Sequence, residues 1–438
     1  KFIVKGGGTV DPLRHSEEVF DLYSIPSYDT QKPELLKGSE IGSTKKVVQT
    51  NDVLLSRIVP HIQRSWVVGA NYGRRQIGSG EWIIFRGNEF VPKYMRYFLL
   101  SYSFHRKLMT TLSGVGGSLT RANPNQVAAF DCPIPPIAEQ KRIVARIEEL
   151  FSGLDSGVAS LKKAQARLKT YRQSVLKWAF EGRLTNPDVK DGELPDGWKW
   201  AQLKDVTSIL GDGLHGTPKY SEAGEYHFIN GNNLNNGKIE IKENTKRVTF
   251  EEYQKYKKSL GERTLLVSIN GSLGYTAFYN GEKIILGKSA CFFNLIDNID
   301  RRYVRFCLTS HRFIIYAEKN ATGSTIKNVG LKAMREFEIP IPLNLDEQIR
   351  IVAEIESRLS VCDKLEESIA QSLEKAGALR QSIFKKAFEG RLVPQDPNDE
   401  PASVLLERIR AEREKTAALV KTKTTTRRKK MTRGKDHE

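Results

Sequence analysis

Two glycine-rich segments of this sequence have a spacing typical of phosphate binding. Gly211–Gly216 matches the G-x-G-x-x-G pattern of dinucleotide-binding loops, and Gly287–Ser289 resembles the end of a P-loop. Either kind of loop must open a helix, because the N–H groups of the first helical turn hold the phosphates. Thr217-Pro218 follows the first segment, and the strand-like Ala290–Phe293 follows the second. We therefore reject both nucleotide-binding interpretations.

The sequence also shows no motif or residue cluster of the kind that catalyses group transfer or hydrolysis. An amino-methyltransferase needs an Asn/Asp-Pro-Pro-Tyr/Phe element, and only 123–125 (Asn-Pro-Asn) comes near. The seven histidines are scattered, and Cys132, Cys291, Cys307 and Cys362 are far apart without CxxC spacing. Metal sites and nucleophilic triads require such clusters. We predict a chain without a catalytic centre or a metal site, with reduced core thiols typical of the cytosol.

Glycine-rich polar loops with basic neighbours recur at matching places in the two halves of the chain. Residues 5–9 correspond to 213–219, and residues 117–121 correspond to 323–328. Glycine allows close backbone approach, while Ser, Thr, Asn, Lys and Arg bind phosphates and base edges. For each loop, a plain turn remains the alternative. In these loops we predict DNA contacts from Lys5, Thr9, Ser118, Thr120, Arg121, His215, Thr217, Lys219, Ser324, Thr325 and Lys327.

Two further groups of polar residues are candidates for DNA contact. The second half carries loop residues of a kind that can pair with bases, since Asn bonds adenine bidentately; hairpin turns are the alternative. These residues are Asn232, Asn233, Asn270 and Ser272. In the first half, basic residues gather around predicted strand ends, where a solvated basic face is the alternative. They are Arg57, Arg64, Arg74 and Arg75.

The elements that must position these loops belong to a long internal repeat. Ala138–Val144 returns as Asp346–Val352, and 348 minus 140 for the shared Gln gives a shift of 208 residues. The same register continues to the copies Arg172–Leu184 and Arg380–Leu392. A weaker echo, of Tyr-x-Arg-aromatic and Phe-x-x-Pro-Ile-Pro segments, precedes each copy. Such a period predicts a duplicated unit with a variable half and a near-constant half.

The near-constant half has a helical pattern. Apolar residues from Ile143 to Trp178 recur in a seven-residue frame, as in the a and d positions of a coiled coil. Gly182 and Gly390 follow the pattern as helix stops. Because an amphipathic rod of this length needs a partner, we predict that the two long helices pack antiparallel around a pseudo-twofold axis. Two unrelated helices on separate cores are the alternative.

The variable halves have the composition of mixed domains. Short runs rich in Val, Ile, Leu, Thr and Phe predict strands, and two longer stretches predict helices. The fold class is thus α+β, with two mixed α/β domains separated by two long antiparallel helices. The predicted strands are Lys46–Pro60, Glu81–Phe85, Thr264–Ile269 and Lys283–Leu295, and the predicted helices are Val91–Leu112 and Arg301–Lys319. The predicted boundaries are 1–136 (first domain), 137–184 (first helix), 185–193 (linker), 194–342 (second domain), 343–393 (second helix) and 394–438 (extension and basic tail).

The overall charge favours a polyanionic partner. Lys and Arg number 69 against 52 Asp and Glu, a formal net charge of +17. Part of the excess lies in 421–435, a run typical of a solvated tail, but the rest of the chain stays basic without it. An anionic membrane surface ranks second to nucleic acid. There is no apolar run of membrane-spanning length and no signal peptide.

With these features the chain resembles the specificity subunits of type I restriction-modification systems over essentially its whole length. The most specific motifs are the Pro-rich step into Glu-Gln-x-x-Ile-Val at 133–144 and 340–352, and Ala-Phe-Glu-Gly-Arg-Leu at the end of each long helix. Leu194–Trp198 (Leu-Pro-x-Gly-Trp) opens the second domain. The first domain lacks this opening, so we expect sequence upstream of Lys1 to be missing.

The resemblance implies a division of labour between subunits. Each domain would read one half of a bipartite, asymmetric DNA target, and the helices would fix the gap and dock two modification (methyltransferase) subunits. The chain would need no cofactor, because S-adenosylmethionine would bind to the modification subunits, and ATP and Mg²⁺ to the restriction (translocase and endonuclease) subunits. We expect a cytoplasmic complex without a membrane partner. The predicted partner-binding residues are Tyr171, Trp178, Phe180, Phe384 and Phe388.

Two hypotheses of other classes remain open on the sequence. One is a structural coiled-coil adaptor whose domains bind protein. The other is a self-sufficient methyltransferase or nuclease, which would itself have to bind S-adenosylmethionine or carry catalytic residues.

Overall fold

The computed structural model describes residues 2–4, 6–113, 120–190, 192–323, 326–411 and 414. The chain divides into two compact units, of which the first comprises Lys1–Ser160 with Ser372–Glu438 and the second Leu161–Gln371. Each unit combines sheets with helices and includes part of both long helices. The predicted fold class is therefore confirmed. The boundary between the units falls within each long helix, and the predicted basic tail lies outside the described residues.

The first unit is built on a mixed sheet and a smaller antiparallel sheet. Its strands are β1 (Thr9–Val10), β2 (Val19–Tyr23), β3 (Glu34–Lys37), β4 (Lys45–Val47), β5 (Val53–Ser56), β6 (Ser65–Val67), β7 (Arg75–Gly78), β8 (Trp82–Phe85), β9 (Leu112–Ser113) and β10 (Arg121–Ala122). Its shorter helices are α1 (Pro92–Leu99), α2 (Tyr102–Met109) and α3 (Pro124–Val127). The strand orders are β1-β4-β7-β2-β3, β6-β5-β8 and β10-β9.

A central apolar strand organises this unit. All four residues of β5 are buried, and the strand pairs on both sides, with β6 and β8, as a continuous apolar run should. Val53 is opposite Phe85, and the side chains on this face pack with α1 and α2 in one cluster. In the larger sheet, β2 pairs with β7 in parallel. The loops that join these strands are thereby held at the sheet ends.

The long helix α4 (Ile137–Phe180) leads from the first unit to the second, where the remaining strands follow. They are β11 (Trp198–Gln202), β12 (Thr207–Asp212), β13 (Tyr226–Ile229), β14 (Leu234–Asn235), β15 (Lys238–Ile239), β16 (Arg247–Val248), β17 (Thr264–Ser268), β18 (Thr276–Phe278), β19 (Ile284–Leu286), β20 (Ala290–Leu295), β21 (Ala321–Thr322), β22 (Asn328–Val329) and β23 (Glu338–Pro342). The helices are α5 (Phe250–Tyr256), α6 (Arg301–Thr309), α7 (His311–Asn320), α8 (Leu331–Glu336) and the long helix α9 (Leu345–Phe388).

The second unit repeats the plan of the first. The buried strand β17 pairs with β18 and β20, with Leu265 opposite Phe293 as Val53 is opposite Phe85. The sheet β16-β13-β19 contains the parallel pair β13/β19, which corresponds to β2/β7. The internal repeat seen in the near-constant sequence thus extends to the variable halves, where the sequence echo is weak.

Each of the two predicted domain helices is in fact a pair of helices. The stretch 91–112 forms α1 and α2, and the stretch 301–319 forms α6 and α7. The break has the same cause in both stretches. The hydroxyls of Ser101 and Ser310 accept hydrogen bonds from the N–H groups of Phe104 and Phe313, respectively. A serine with extended backbone that caps the third N–H starts a new helix. The prediction of single helices was wrong at these positions.

A buried glutamine at the start of each long helix fastens it to the preceding domain. Gln140 accepts the backbone N–H of Val91 at 2.8 Å and donates to the carbonyls of Glu89 and Pro135. Gln348 does the same with Asp300, at 2.9 Å, and with the carbonyls of Asn298 and Pro342. This network explains why the repeated Glu-Gln motif occurs once for each domain.

The long helices run antiparallel within each unit, as predicted. In the first unit, the ring centroids of Phe151 and Phe384 are 5.1 Å apart, and Asp155 forms an ion pair with Arg380. Four residues forward on α4 therefore correspond to four residues back on α9. In the second unit, Arg172 of α4 pairs with Asp363 and Glu366 of α9. Further along α4, the buried residues 175–180 share a cluster with 351–355 near the start of α9.

Within the described residues, no helix is both long enough and apolar enough to cross a membrane. The long helices instead have mixed surfaces, with the middle of the predicted seam (Leu154, Leu161 and Leu168) only half-buried.

Candidate nucleic-acid interface

In both units, two loops lie side by side and are joined by the same pair of backbone hydrogen bonds; we call this arrangement the loop crossing. In the first, the N–H of Val59 donates to Thr120 at 3.0 Å and that of Ala122 to Arg57 at 2.8 Å. In the second, the N–H of Gly271 donates to Lys327 at 2.9 Å and that of Val329 to Ile269 at 2.8 Å. The connection after β5 or β17 therefore runs beside the segment that ends in β10 or β22. The predicted correspondence between residues 117–121 of the first unit and 323–328 of the second is confirmed for the described parts of these loops.

The turn at this crossing requires a left-handed residue. Gly271 has a φ of 77°, and its counterpart Val59 has a φ of 47°. Glycine adopts this region freely, whereas a β-branched residue there is strained. The surrounding hydrogen bonds hold Val59 in place. Strain of this kind is concentrated at functional loops.

In the first unit, three cations surround one carboxylate at the crossing. Arg57 and Arg121 each place Nε 3.1 Å from a carboxylate oxygen of Glu81. Lys46 lies beside them and donates from Nζ to the carbonyl of Trp82 at 2.7 Å. Burial lowers the pKa of Lys46, Arg57 lowers it further, and Glu81 raises it. We call Lys46, Arg57, Glu81 and Arg121 the Glu81 cluster; with the lysine protonated its formal charge is +2.

The Glu81 cluster adjoins a groove beside the predicted glycine-rich loop. Thr9 is opposite Lys46 in the β1/β4 pair, and both line the groove with Gly6–Gly8. Thr9 is exposed. The structure thus brings Thr9, Arg57, Thr120 and Arg121 to one end of the first unit, whereas Lys5 and Ser118 lie outside the described residues.

The other predicted arginines of this unit divide between two places. Arg64 lies on the connection between β5 and β6, where the N–H of Ser56 donates to its carbonyl. Arg74 and Arg75 lie at the opposite end of β7 from its contact with Lys46. There Arg74 pairs with buried Asp21 at 2.7 Å and Arg75 with Glu18 at 2.8 Å. Arg74 and Arg75 therefore lie apart from Arg57, because strand direction separates residues that are near in sequence.

In the second unit, the loop after β12 lies against the turn between β19 and β20. The N–H of Leu214 donates to Leu286 at 2.7 Å, and that of Lys288 donates to Leu214 at 3.0 Å. His215 has its Nε2 2.6 Å from a carboxylate oxygen of Asp212. His215, Thr217, Lys219 and Lys288 are exposed. The loop therefore presents the predicted polar residues beside an unpredicted lysine.

The neighbouring asparagine loop separates into a structural and an exposed part. Asn233 is buried, accepts the N–H of Asn230 and donates to the carbonyl of Glu240. Its amide is therefore used in closing its own turn, and the prediction of a DNA contact is corrected. Asn232 beside it is exposed. Ser289 joins this loop to the β19–β20 turn, since its hydroxyl accepts the N–H of Gly231 and donates to Asn230.

The remaining predicted residues of the second unit lie at the loop crossing. Asn270 bridges to Asn328, Ser272 is exposed, and Lys327 pairs with Glu318 at 2.8 Å. Ile269 donates to the carbonyl of Ser289 at 3.0 Å, so that the crossing adjoins the β19–β20 turn. The predicted residues 215–219, Asn232, 270–272 and Lys327 thus occupy adjoining loops. Ser324 and Thr325 lie outside the described residues.

Sequence reasoning missed three residues of these surfaces. The sequence around Lys288 resembles only a nucleotide-binding loop, although a turn between two apolar strands is a signal for an exposed tip. Lys46 and Glu81 lie in stretches that the sequence predicts as strands. No local pattern indicates that Glu81 joins two arginines, because Arg57 and Arg121 are 64 positions apart and meet only in the folded unit.

Comparison with known proteins gives a consistent family. A family model described as "Type I restriction modification DNA specificity domain" matches residues 195–375. The chain is 28% identical over 355 residues to the type I restriction enzyme StySPI specificity subunit of Salmonella potsdam, covering 75% of this chain and 73% of that protein. It is 25% identical over 332 residues to the EcoKI specificity subunit of Escherichia coli (strain K12), covering 71% and 70%.

The chain belongs to the type I restriction-modification specificity subunits.

Solved structures support the same fold. A chain of the structure described as "Structural basis underlying complex assembly and conformational transition of the type I R-M system" has a TM-score of 0.72 at 21% identity, covering 89% of this subunit and 96% of that chain. The HsdS subunit from Thermoanaerobacter tengcongensis has a TM-score of 0.54 at 22% identity, covering 87% and 93%. The pair of mixed domains with two long helices is therefore shared with these structures.

The predicted partner-binding aromatics of this specificity subunit differ in exposure. Tyr171 and Trp178 on α4 are each 38% exposed. Phe180 is buried against Tyr303, with ring centroids 5.5 Å apart, and Phe388 packs on Tyr94 at 5.4 Å.

Phe384 is also buried, between the rings of Phe151 and Tyr97. The rings of Phe180, Phe384 and Phe388 therefore fasten the helix ends to the domains, and Tyr171 and Trp178 remain the candidates for partner contact.

Proposed function

We propose that this chain confers DNA sequence specificity, with each unit reading one half of a bipartite, asymmetric target. The observation that carries the proposal is the loop crossing, which has the same backbone ladder in both units and different side chains. A shared ladder would present both loop sets to DNA in the same way. Different side chains would then select different bases, whereas identical units would read a palindrome.

In the first unit, we propose that Arg57 and Arg121 read bases. A guanidinium can bond guanine O6 and N7 bidentately, provided that its plane is held in position. Glu81 forms ion pairs with both arginines at 3.1 Å, and it holds the guanidinium of Arg121 by a hydrogen bond from Nε. Lys46 and the backbone of the glycine-rich loop would contact phosphates. The net positive charge of the Glu81 cluster gives affinity, and its fixed geometry gives discrimination.

In the second unit, we propose that amides replace guanidinium groups as the reading side chains. Asn270 and Asn328 face one another across the crossing, and Asn232 is exposed on the adjoining loop. Asparagine is suited to the N6 and N7 edge of adenine. Lys219, Lys288 and Lys327 on the same loops would contact phosphates. Arg74 and Arg75, which are paired at the far end of β7, are not part of this proposal.

The two long helices would hold the readers apart and dock the modification subunits, with Tyr171 and Trp178 as candidate contacts. This subunit would be non-catalytic and would need no cofactor of its own. S-adenosylmethionine would be bound by two modification subunits, and ATP and Mg²⁺ by the restriction subunits. The assembled complex would act on cytoplasmic DNA without a membrane partner.

The direct test exchanges one reader and maps the modified bases. Replacing residues 1–136 with the corresponding domain of a relative, in the assembled methyltransferase, is expected to change one half of the methylated sequence and leave the other half intact. The reciprocal exchange of 194–342 is the matched control and should change the other half. Unchanged targets in both chimeras would contradict the proposal.

A second measurement separates DNA reading from a protein adaptor role. The complex of this chain with its modification partner should shift duplex DNA in a gel, and the affinity should fall steeply with salt as phosphate contacts are screened. An adaptor whose domains bind protein would give no shift that depends on the DNA sequence.

A further inference from the structure

The turn that follows the central strand, β5 or β17, is anchored by a buried serine in both units. In the first unit, the N–H of Ser56 donates to the carbonyl of Arg64 at 2.9 Å. In the second unit, the N–H of Ser268 donates to the carbonyl of Tyr275 at 2.8 Å. The hydroxyl of each serine also donates to a carbonyl within its own turn. Arg64 and Tyr275 therefore occupy matching positions, at the point where the turn returns to the sheet.

The backbone around Tyr275 is fixed from several sides. Its N–H donates to the hydroxyl of Ser268 at 3.1 Å. Two residues before it, Leu273 packs against the main apolar cluster of the second unit. Gly274 has a φ of 81° and lies directly on α7, since a Cβ there would be 2.6 Å from Cδ1 of Ile314. The position of Tyr275 is therefore set by the fold of the unit itself.

The side chain of Tyr275 is left uncovered by this arrangement. The residue is 49% exposed, and among the described residues its hydroxyl has no hydrogen-bond partner and its ring has no aromatic or cationic neighbour. It lies beside the loop crossing, because Ser268 leads directly into Ile269 and Asn270. On the adjoining loop Ile326 is 61% exposed. This end of the second unit therefore presents apolar groups among its amides and lysines.

The first unit has a cation at the same position. Arg64 is half-buried, and its Nε has no hydrogen-bond partner among the residues that the structure describes. The exposed apolar residue of that turn, Ile62, lines a cleft with Tyr97 of α1 and Phe384 of α9. The two turns thus share their backbone anchor and differ in the group that they present, a guanidinium in one unit and a phenol ring in the other.

From this we infer that Tyr275 is a base-reading residue whose ring contacts the C5-methyl group of a thymine in the second half-site. This methyl marks thymine in the major groove and is recognised by apolar contact. Tyrosine offers a large contact area with few rotatable bonds, which limits the entropy lost on binding. A thymine also suits the neighbouring asparagines, because adenine, its pairing partner, is the base that an amide bonds bidentately. The inference rests on the proposed function and adds an apolar contact to it.

The test removes the methyl group from the DNA and leaves the protein unchanged. Each thymine of the half-site that the domain exchange assigns to residues 194–342 is replaced in turn by deoxyuridine, which pairs with adenine but lacks the methyl. Binding is measured with the complex of the full chain and its modification partner. The affinity is expected to fall about fourfold at one position, the value for burial of one methyl group. Deoxyuridine in the spacer between the half-sites should have no effect.

Substitutions at Tyr275 assign the methyl effect to this residue. In Tyr275→Ala, binding of the target should weaken at least about fivefold because the contact area of the ring is lost. Deoxyuridine should then no longer reduce the affinity at the sensitive position. Tyr275→Phe keeps the ring and should retain the full methyl effect. Ile296→Ala, at an exposed apolar site beyond the far end of β20, is the matched control. None of these variants should change the response to deoxyuridine in the first half-site.

Three results would overturn the inference. Deoxyuridine without cost at every thymine of the second half-site would exclude methyl reading. Equal losses in Tyr275→Ala and Tyr275→Phe, independent of the methyl, would mean that the hydroxyl bonds a phosphate. A methyl effect that persists in Tyr275→Ala but disappears in Ile326→Ala would assign the contact to Ile326. Failure of the proposed function is distinguishable from all three, because binding would then not depend on the sequence of the second half-site.

Discussion

The two units of this specificity subunit share a backbone arrangement at the loop crossing but carry different side chains there. At the loop crossing the first unit places Arg57 and Arg121 around Glu81. In the second unit the same hydrogen bonds put Ile269 at the position of Arg57, Asn328 at that of Arg121 and Ser289 at that of Glu81, with Asn270 opposite Asn328. Glu81 and Ser289 correspond in their backbone hydrogen bonds. The carbonyl of each accepts a hydrogen bond from the N–H of the residue that follows the central strand, Arg57 or Ile269. The backbone ladder therefore sets where the side chains lie, and the loop sequence sets which bonds they can make.

The near-constant half shows the opposite behaviour. Gln140 and Gln348, Tyr94 and Tyr303, and Phe388 and Phe180 make matching contacts in the two units. A fixed frame of this kind allows loops to vary without moving the domain on its helix. Substitutions in this frame should therefore cost more than substitutions in the loops.

The largest effect is expected from the buried glutamines of the frame. Gln348→Ala leaves one N–H and two carbonyls without their partner in a buried site, so the free energy of unfolding should fall by about 3 kcal/mol. Gln140→Ala should cost a similar amount. Urea unfolding measures both, with the exposed Gln371→Ala as the control. A change in the free energy of unfolding close to zero would show that the two glutamine networks do not fasten the domains.

A smaller effect, confined to the first half-site, is expected from Glu81→Gln. The two arginines lose the charge that holds them, so discrimination at one or two base pairs of that half-site should fall by about 1–3 kcal/mol each. Binding to targets altered at single positions measures this. Glu18→Gln, which unpairs Arg75 away from the crossing, is the matched control. Equal losses at both half-sites would contradict the role of Glu81.

Lys288→Gln tests the second unit through salt dependence. Removing one phosphate contact should weaken binding to all sequences alike and reduce the slope of log affinity against log salt by about 1. The exposed Lys332 on α8 offers a control substitution, Lys332→Gln, outside the proposed loops. A change in the preferred bases rather than in the salt slope would assign Lys288 to base reading instead.

The smallest effect is expected at the strained turn. Val59→Gly should relieve the left-handed strain, worth roughly 1–2 kcal/mol, and lose part of this to backbone entropy. A net gain of about 0.5 kcal/mol in the free energy of unfolding is expected. The reverse change, Gly271→Val, should destabilise the second unit. A loss of stability in Val59→Gly would show that the valine side chain contributes more than its backbone costs.

Sequence alone determined the features that depend on local pattern or on repetition. The 208-residue shift identified the long helices and their antiparallel packing, because an apolar stripe repeated along a rod has to be covered. The exposed, polar character of the loops was also predictable, since runs of Gly, Asn, Ser and Lys between apolar strands are typical of turns. The family followed from the same repeated motifs and is confirmed by the comparisons.

Which distant residues contact one another depends on the tertiary fold. Arg74 and Arg57 are close in sequence, yet strand direction carries them apart, while Arg57 and Arg121 are distant and share Glu81. Phe384 follows the same periodicity as exposed helix residues, but its ring is enclosed by residues more than 200 positions away. Periodicity reports which face of an element is apolar, whereas the identity of the covering group depends on long-range packing that no local pattern encodes.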